Sequence, residues 1–256
     1  MRQLRHDLFA IRGWAGWTHL LVQDGEVVLL DTGFAHEWRR IRHAVGRLGT
    51  LRAILLTHGH LDHTANAARL QDWSGATVYA PAEDALHVTG AYPYRGWARV
   101  CGALEWAGRG LVKYRPPRVD VWVRDGDELP LWGGLRVVSL PGHTAGHSGY
   151  YSRTKRVFFV GDTFATSWRL VLPPPFLNTD NRRVRASFLK LANYDVEQFV
   201  PCHYVRPEGN SVKRVRQAWE KYRPEPTGCG QTTSAELVAP PSPRPSPHRM
   251  GRGDQI

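Results

Sequence analysis

Three histidines and one aspartate fall within residues 58–63, in the segment Thr57-His58-Gly59-His60-Leu61-Asp62-His63. The segment follows an apolar run at residues 51–56, which predicts a strand that ends in a turn. Buried His and Asp side chains each need a polar partner, and four of them at one strand end would leave several unpaired. A divalent metal satisfies them together, because neutral imidazole and ionised carboxylate are its natural ligands. His58 and His60 point the same way on an extended segment, whereas Asp62 and His63 can face a second ion.

Two ions need more ligands than this segment supplies, and three later segments offer them. Each follows an apolar, strand-like run, and they read Gly142-His143-Thr144, Gly161-Asp162 and Cys202-His203. Ligands gather at strand ends because a rigid sheet fixes them while the loops stay open to substrate. His147 is predicted to support a ligand or to shape its loop rather than to bind metal.

The combined pattern resembles the metallo-β-lactamase-fold hydrolase superfamily over roughly residues 7–222. The pattern consists of HxHxDH (58–63), GHT (142–144), GD (161–162) and CH (202–203), preceded by Leu29-Leu30-Asp31-Thr32-Gly33. The resemblance implies an α/β fold of the four-layer αββα sandwich type, with two mixed β-sheets packed face to face and helices outside. Gly59 stands where glyoxalase II proper usually has His, and Asp162 where zinc β-lactamases commonly have Cys. These departures count against glyoxalase II proper and against the zinc β-lactamases, and the expectation is a related hydrolase similar to the glyoxalase-II-like metallo-hydrolase branch.

Carried over by position, the resemblance also implies how two ions are held. One ion would be bound by His58, His60 and His143. The other would be bound by Asp62, His63 and His203. Asp162 would bridge both ions, and Asp31 would orient a ligand from behind. Zn²⁺ is the default metal for these ligand types, with Fe or Mn as alternatives.

This ligand set predicts a binuclear metal-dependent hydrolase. Two ions about 3.5–4 Å apart can share a bridging water and ionise it near neutral pH. The resulting hydroxide would attack a small thioester, ester or lactone, and Asp62 would act as the catalytic group that orients the water or accepts its proton. A phosphodiesterase or RNA-processing nuclease on the same fold is the alternative. A di-iron binding or redox protein is a third hypothesis, although nothing in the chain resembles the flavin domain it would need.

Composition places the chain among compact proteins with a large core, since 42% of its 256 residues are hydrophobic and ten are Trp. No run of about 18 apolar residues occurs, so no membrane partner is predicted. Three widely spaced cysteines and the lack of a signal-peptide pattern predict a cytoplasmic protein without a disulfide framework. The net charge of +11 is scattered in short Arg runs, which favours solvated helix faces and a small-molecule substrate over a nucleic-acid partner.

Hydrophobic periodicity predicts the elements that must position the ligands. A two-residue turn at Asp24-Gly25 is expected to join two strands. Strands are predicted at residues 8–12, 18–23, 26–30, 51–56, 76–80, 119–124, 135–140, 149–152, 156–160 and 198–201. Helices are predicted at residues 38–48, 63–73, 184–192 and 211–222.

Residues 1–223 are predicted to form one domain. Within it, residues 82–118 hold Tyr92, Tyr94, Trp97 and Trp106 among Gly, Pro and Arg. This segment is either a cap over the substrate cleft or an insertion that packs on a sheet edge. Residues 224–256 contain a Pro- and Ser-rich run and are predicted to be a disordered, low-complexity tail.

Overall fold

Two β-sheets lie face to face between outer helices in the computed structural model, which describes residues 1–166, 169–203 and 211–223. This arrangement confirms the predicted αββα sandwich. The tail predicted at residues 224–256 lies outside the described residues. No helix in the described ranges is long and apolar enough to cross a bilayer.

The first sheet has seven strands, which follow one another in chain order. They are β1 (Arg2–Arg5), β2 (Leu8–Arg12), β3 (Trp17–Gln23), β4 (Glu26–Leu30), β5 (Thr50–Leu55), β6 (Thr77–Pro81) and β7 (Val121–Val123). Strands β1 to β4 pair antiparallel, and β4 to β7 pair parallel. Asp24 and Gly25, between β3 and β4, both have positive φ, which suits the predicted two-residue hairpin turn.

The second sheet has five strands in the spatial order β14-β11-β10-β9-β8. Their bounds are β8 (Glu128–Leu129), β9 (Leu135–Ser139), β10 (Ser148–Ser152), β11 (Val157–Gly161) and β14 (Gln198–Pro201). Strands β11 and β14 are parallel, and the other pairs are antiparallel. A separate two-stranded ribbon consists of β12 (Ala165–Thr166) and β13 (Leu170–Val171).

Seven α-helices accompany the sheets in the described part of the chain. They are α1 (Trp38–Leu48), α2 (Leu61–Thr64), α3 (Ala67–Ser74), α4 (Ala85–Thr89), α5 (Arg99–Leu111), α6 (Asn181–Lys190) and α7 (Ser211–Tyr222). The helix predicted at residues 63–73 is interrupted between α2 and α3. There the Asn66 side chain donates to the carbonyls of Thr32 and Phe34, at 2.8 and 2.6 Å, and ties the chain to the end of β4.

Alternating side chains of the buried strands build the layers. In β4, Val27 and Leu29 pack in the outer core with α1 and α3, while Val28 and Leu30 face the second sheet. In β11, Phe159 lies in the core between the sheets, and Phe158 faces α6 and α7. Strands that are apolar on both faces therefore pack against the other sheet on one side and against helices on the other.

The ends of four strands meet where the two sheets touch. Ser148 N donates to Thr57 O at 2.9 Å, just after β5, and Trp17 N donates to Cys202 O at 2.8 Å, just after β14. The buried Tyr150 hydroxyl, on β10, donates to Leu56 O at 2.8 Å. Because these bonds cross from one sheet to the other, they fix the relative height of the loops that carry the predicted ligands.

We expect Tyr150→Phe to lower the free energy of unfolding by about 1–3 kcal/mol, because the Leu56 carbonyl would lose a buried donor. Tyr151→Phe is the matched control. Its hydroxyl donates to Asp195 O in a part-buried position, where water can replace the bond. Urea unfolding followed by circular dichroism compares the two variants, and equal losses would contradict a special role for the Tyr150 bond.

Candidate metal centre

Three imidazoles converge at the first group of predicted ligands. His58 and His60, which follow β5, and His143, which follows β9, are all buried, and one ring nitrogen from each lies within 4.8 Å of the other two. His58 Nε2 is 3.2 Å from His60 Nδ1. We refer to these residues as the three-histidine group.

A second group lies directly beside the first and combines carboxylate with imidazole. Its members are Asp62, His63 and His203, whose ligand atoms also lie within 4.8 Å of one another. Asp62 Oδ2 is 3.5 Å from both His63 Nε2 and His203 Nε2. We refer to these residues as the mixed group.

Asp162, at the end of β11, contacts both groups. Its Oδ2 atom is 3.5 Å from His143 Nε2 and 3.0 Å from His203 Nε2. Its Oδ1 atom is 3.6 Å from His63 Nε2. A carboxylate in this position can serve both groups, which is the role that the family resemblance implies for Asp162.

In three of the imidazoles, the ring nitrogen that faces away from the centre bonds to a protein acceptor, and each ring has its own acceptor. His63 Nδ1 is 2.9 Å from Asp31 Oδ2, His143 Nδ1 is 3.0 Å from Asn178 Oδ1, and His203 Nδ1 is 2.8 Å from Ala15 O. These acceptors fix the tautomer of each ring and leave its Nε2 directed at the centre. Asp31 is itself held by the backbone N–H and hydroxyl of Thr57, both at 2.8 Å.

Burial makes the three-histidine group neutral. It lowers the pKa of His60 and of His143 to about 4 and places the pKa of His58 well below its usual value, with neighbouring imidazoles adding to each effect. Neutral imidazole is the form that binds metal. These three rings therefore need to lose no proton at neutral pH before they coordinate an ion.

The mixed group has the opposite electrostatics. Asp162, with a smaller contribution from Asp62, raises the pKa of His203 to about 9. Burial disfavours the charged form of His63, but Asp62, Asp162 and Asp31 outweigh it and hold its pKa well above the usual value. Burial likewise opposes ionisation of Asp62 and Asp162, yet His63 and His203 keep both carboxyl pKa values low. Without metal, protons on two imidazoles thus balance two buried carboxylates.

The donor set fits divalent cations. His143 Nε2 and Asp162 Oδ1 are buried atoms with no hydrogen-bond partner, and both point into the space between the two groups. Atoms in that condition are costly unless something coordinates them. The surrounding donors are imidazole nitrogens and carboxylate oxygens, which suit Zn²⁺ and also Fe or Mn.

His147 holds the loop of a predicted ligand. Its Nδ1 donates to Leu140 O at 3.0 Å, and its Nε2 accepts from the Asp162 backbone N–H at 2.9 Å. Both ring nitrogens are therefore engaged by protein atoms, which agrees with the predicted supporting role. A Cβ at position 161 would crowd His147 Nε2, so residue 161 must be glycine for the His147 ring to reach the Asp162 backbone N–H.

Asp84 joins the two loops that carry the three-histidine group, and it is not among the residues predicted from the sequence. The fully buried carboxylate accepts from Gly59 N at 2.6 Å through Oδ2 and from Gly146 N at 2.8 Å through Oδ1. A Cβ at Gly59 would collide with Val88 N, so the His that glyoxalase II proper carries there has no room. Asp84 lies between β6 and α4, where an acid at a helix start is ordinary, so its role becomes visible only when the fold brings Gly59 and Gly146 to it.

Residues 82–118 reach the metal-binding loop through α5. Glu105 accepts from Leu61 N at 3.1 and 3.2 Å, and Arg109 donates to Gly59 O at 2.6 Å. Cys101 Sγ lies 3.7 Å from His60 Nε2. The segment thus packs on the back of the HxHxDH loop, and its predicted role as a cap over the substrate cleft stays a prediction.

Comparison with known proteins identifies relatives over most of the described chain. The family described as the metallo-beta-lactamase superfamily matches residues 11–203. A hydroxyacylglutathione hydrolase of Methylobacillus flagellatus is 33% identical over 196 residues, which are 75% of this chain and 62% of that protein. A probable metallo-hydrolase of Bacillus subtilis is 29% identical over 154 residues, 60% of this chain and 64% of that one. The chain spans less than two thirds of the length of these curated relatives.

A solved structure shares the fold. The crystal structure of a metallo-beta-lactamase family protein from Thermus thermophilus superposes with a TM-score of 0.67 at 23% sequence identity. The match covers 86% of this chain and 80% of the Thermus chain. At this identity the likeness establishes the architecture alone.

Metal binding near pH 7 should release about two protons per chain, because His63 and His203 carry protons in the metal-free protein and must lose them to coordinate. Both pKa values are raised, so metal affinity should strengthen as pH rises towards about 9. Calorimetric titration in buffers of different ionisation enthalpy counts the protons. Binding without proton release would contradict the assignment of these two ligands.

Asp84→Asn should weaken retention of the ion at the three-histidine group about 10- to 100-fold, because an amide cannot accept from both loops. Glu83→Gln is the control, since Glu83 is an exposed neighbour that pairs with Arg124. Chelator competition measures the affinity, and thermal unfolding of the metal-free proteins reports whether the fold survives. Equal metal retention in the two variants would contradict the proposed link.

Proposed function

We propose, because the chain belongs to the metallo-beta-lactamase superfamily, that it is a binuclear metal-dependent hydrolase of a small thioester, ester or lactone. The observation that carries this proposal is the convergence of five imidazoles and two carboxylates from four strand ends into two adjoining ligand groups. Zn²⁺ is the metal we expect from the ligand types, with Fe or Mn able to replace it. We retain a cytoplasmic location as part of the proposal, supported by the free thiols of Cys101 and Cys202.

The proposed ligand roles follow the two groups. His58, His60 and His143 would hold one ion, and the mixed group would hold the other, with Asp162 shared. Such a pair of cations lowers the pKa of a bound water to about 7 and stabilises the negative charge that develops on the attacked carbonyl oxygen.

Asp62 is the residue we assign to orient the water or to accept its proton. Its side chain is 22% exposed, whereas that of Asp162 is 9% exposed, so Asp62 is the more accessible of the two carboxylates. The low pKa of Asp62 keeps it ionised, and an ionised carboxylate is an acceptor for a water hydrogen. His203 is 27% exposed beside it, which makes these two residues the open side of the centre.

Neither described thiol supplies a nucleophile. Burial raises the pKa of Cys101 to about 12 and that of Cys202 well above its usual value. The Cys202 thiol also donates to Asp31 Oδ2 at 3.2 Å, behind His63. Because a thiol attacks only as thiolate, water is the better candidate for the attacking group.

The thioester class comes first among the substrates on the strength of one relative. The hydroxyacylglutathione hydrolase that is 33% identical acts, by its name, on a hydroxyacyl thioester of glutathione. The blocked position at Gly59 distinguishes this chain from glyoxalase II proper, so we propose a thioester or related ester without specifying glutathione.

A substrate panel tests the proposed class. Protein purified without added metal is first analysed for its metal content and then loaded with zinc or iron. Thioesters, lactones, phosphodiesters and β-lactams are assayed with each form. Hydrolysis confined to phosphodiesters would overturn the proposal in favour of the nuclease alternative, and turnover unaffected by chelators would overturn metal dependence.

Asp62→Asn should reduce kcat for the best substrate by at least about 100-fold, because an amide neither accepts a proton nor binds a cation as a carboxylate does. Asp72→Asn is the control, since Asp72 is an exposed acid on α3 that pairs with Arg115. Steady-state kinetics and metal content are measured together, and near-normal turnover of Asp62→Asn would remove Asp62 from the reaction.

A further inference from the structure

Helix α5 turns mainly apolar residues to solvent and two of its three charged residues inward, which is the opposite of an ordinary surface helix. Eight of its residues are exposed, namely Arg99, Val100, Ala103, Leu104, Trp106, Ala107, Gly110 and Leu111. Arg99 is the one charged residue among them. A surface helix normally turns its polar face to water and its apolar face to the core.

The remaining charged residues of α5 point inward and are already used. Glu105 and Arg109 pair at 3.0 Å, are 14% and 12% exposed, and bond to the backbone of the HxHxDH loop. The polar face of α5 is thus satisfied by the protein, and the apolar face is the one left towards solvent.

Apolar side chains on the segments next to α5 are exposed as well. Trp97, just before α5, is 81% exposed, and within the helix Trp106 is 80% and Leu111 is 85% exposed. Leu86, on α4, is 52% exposed. Exposed apolar side chains are ordinary when scattered, but a cluster of this kind marks a binding surface. We call α5 with Trp97 and Leu86 the α5 face.

Cations without a carboxylate partner lie near both ends of α5 in the described part of the chain. Arg95, Arg99 and Lys113 are exposed, and no carboxylate pairs with any of them within residues 1–166, 169–203 and 211–223. Tryptophan and leucine bordered by free Arg and Lys are the composition of helices that lie in the plane of a membrane surface.

We propose that the α5 face docks on an anionic lipid surface, with the exposed side of α5 turned to the headgroup region, Leu104 and Trp106 at the two edges of that side, and the cations near the helix ends contacting acidic headgroups. This revises the sequence-based expectation of no membrane partner, and it concerns surface attachment, not a membrane span. A second copy of the chain is a poorer occupant, because a two-fold contact through this face would bring Arg95, Arg99 and Lys113 of both copies together. Anionic lipid supplies the opposite charge.

Vesicle co-sedimentation with the full, metal-loaded chain tests the proposal. The probes are vesicles of phosphatidylcholine with 30% phosphatidylglycerol (about one anionic lipid in three) and vesicles of phosphatidylcholine alone. The wild type should partition at least about tenfold more strongly to the anionic vesicles, and 0.5 M salt (about a 4 Å screening length) should remove most of that difference.

Two matched substitutions separate the α5 face from exposed tryptophan in general. Trp106→Glu should weaken partitioning at least about tenfold. Trp122→Glu should leave it unchanged, because Trp122 is a 40% exposed indole on β7, outside the α5 face. Circular dichroism, thermal unfolding and metal content show that each variant is folded, and a second variant, Leu104→Glu, repeats the test if Trp106→Glu fails to fold.

Three outcomes would overturn the proposal. They are no binding to anionic vesicles, equal binding to both vesicle types, and equal effects of Trp106→Glu and Trp122→Glu. Sedimentation velocity adds a fourth, since a dimer abolished by Leu104→Glu, without vesicle binding, would assign the face to a second copy. Partitioning is measured without substrate, so absence of vesicle binding would not contradict the proposed hydrolase function. In the same way, absence of activity in the substrate panel would not contradict membrane docking by the α5 face.

Discussion

The structure depends on one electrostatic constraint, the close placement of several ionisable groups in a centre that is largely buried. Asp62 and Asp162 lie within 3.6 Å of the imidazoles of His63, His143 or His203. Two carboxylates so enclosed require positive charge at the same place. Protonated His63 and His203 provide it in the metal-free protein, and two cations would provide it in the metal-loaded one. Under the proposed function, metal binding would therefore replace the positive charge of two protonated imidazoles with that of two cations.

The two sheets satisfy this constraint because each contributes a parallel pair at the same edge. Strands β4 and β5 deliver Asp31 and the HxHxDH segment, and strands β11 and β14 deliver Asp162 and His203. Parallel neighbours end side by side, which brings residues far apart in the chain within hydrogen-bond range. Bonds such as Tyr150 Oη to Leu56 O then join the sheets, so each ligand is fixed by strands of both.

Periodicity in the sequence predicts the fold and most strands, because buried strands are apolar on both faces and their ends carry unusual polar residues. The αββα sandwich and the Asp24-Gly25 hairpin were predictable in this way, whereas the superfamily was predicted from the resemblance carried by the HxHxDH, GHT, GD and CH motifs. Interactions between distant segments were not. Asp84 looks like an ordinary helix-starting acid until the fold brings Gly59 and Gly146 to it, and the break at Asn66 depends on carbonyls more than thirty residues earlier. The exposure of the apolar side of α5 could not be predicted from the sequence. Periodicity shows that a helix has two faces, but it does not show which face the rest of the protein covers.

The close backbone approaches at Gly59 and Gly146 bear on how catalysts of this type can diversify. Neither position accepts even a methyl group without moving residues 83–88, so the inner framework leaves little room for sequence drift. Variation that alters substrate range would instead accumulate in the peripheral segments, namely the loop at residues 13–16 and the stretch after β13. Mutant libraries aimed at new activities in this scaffold should randomise those borders and leave the glycines untouched.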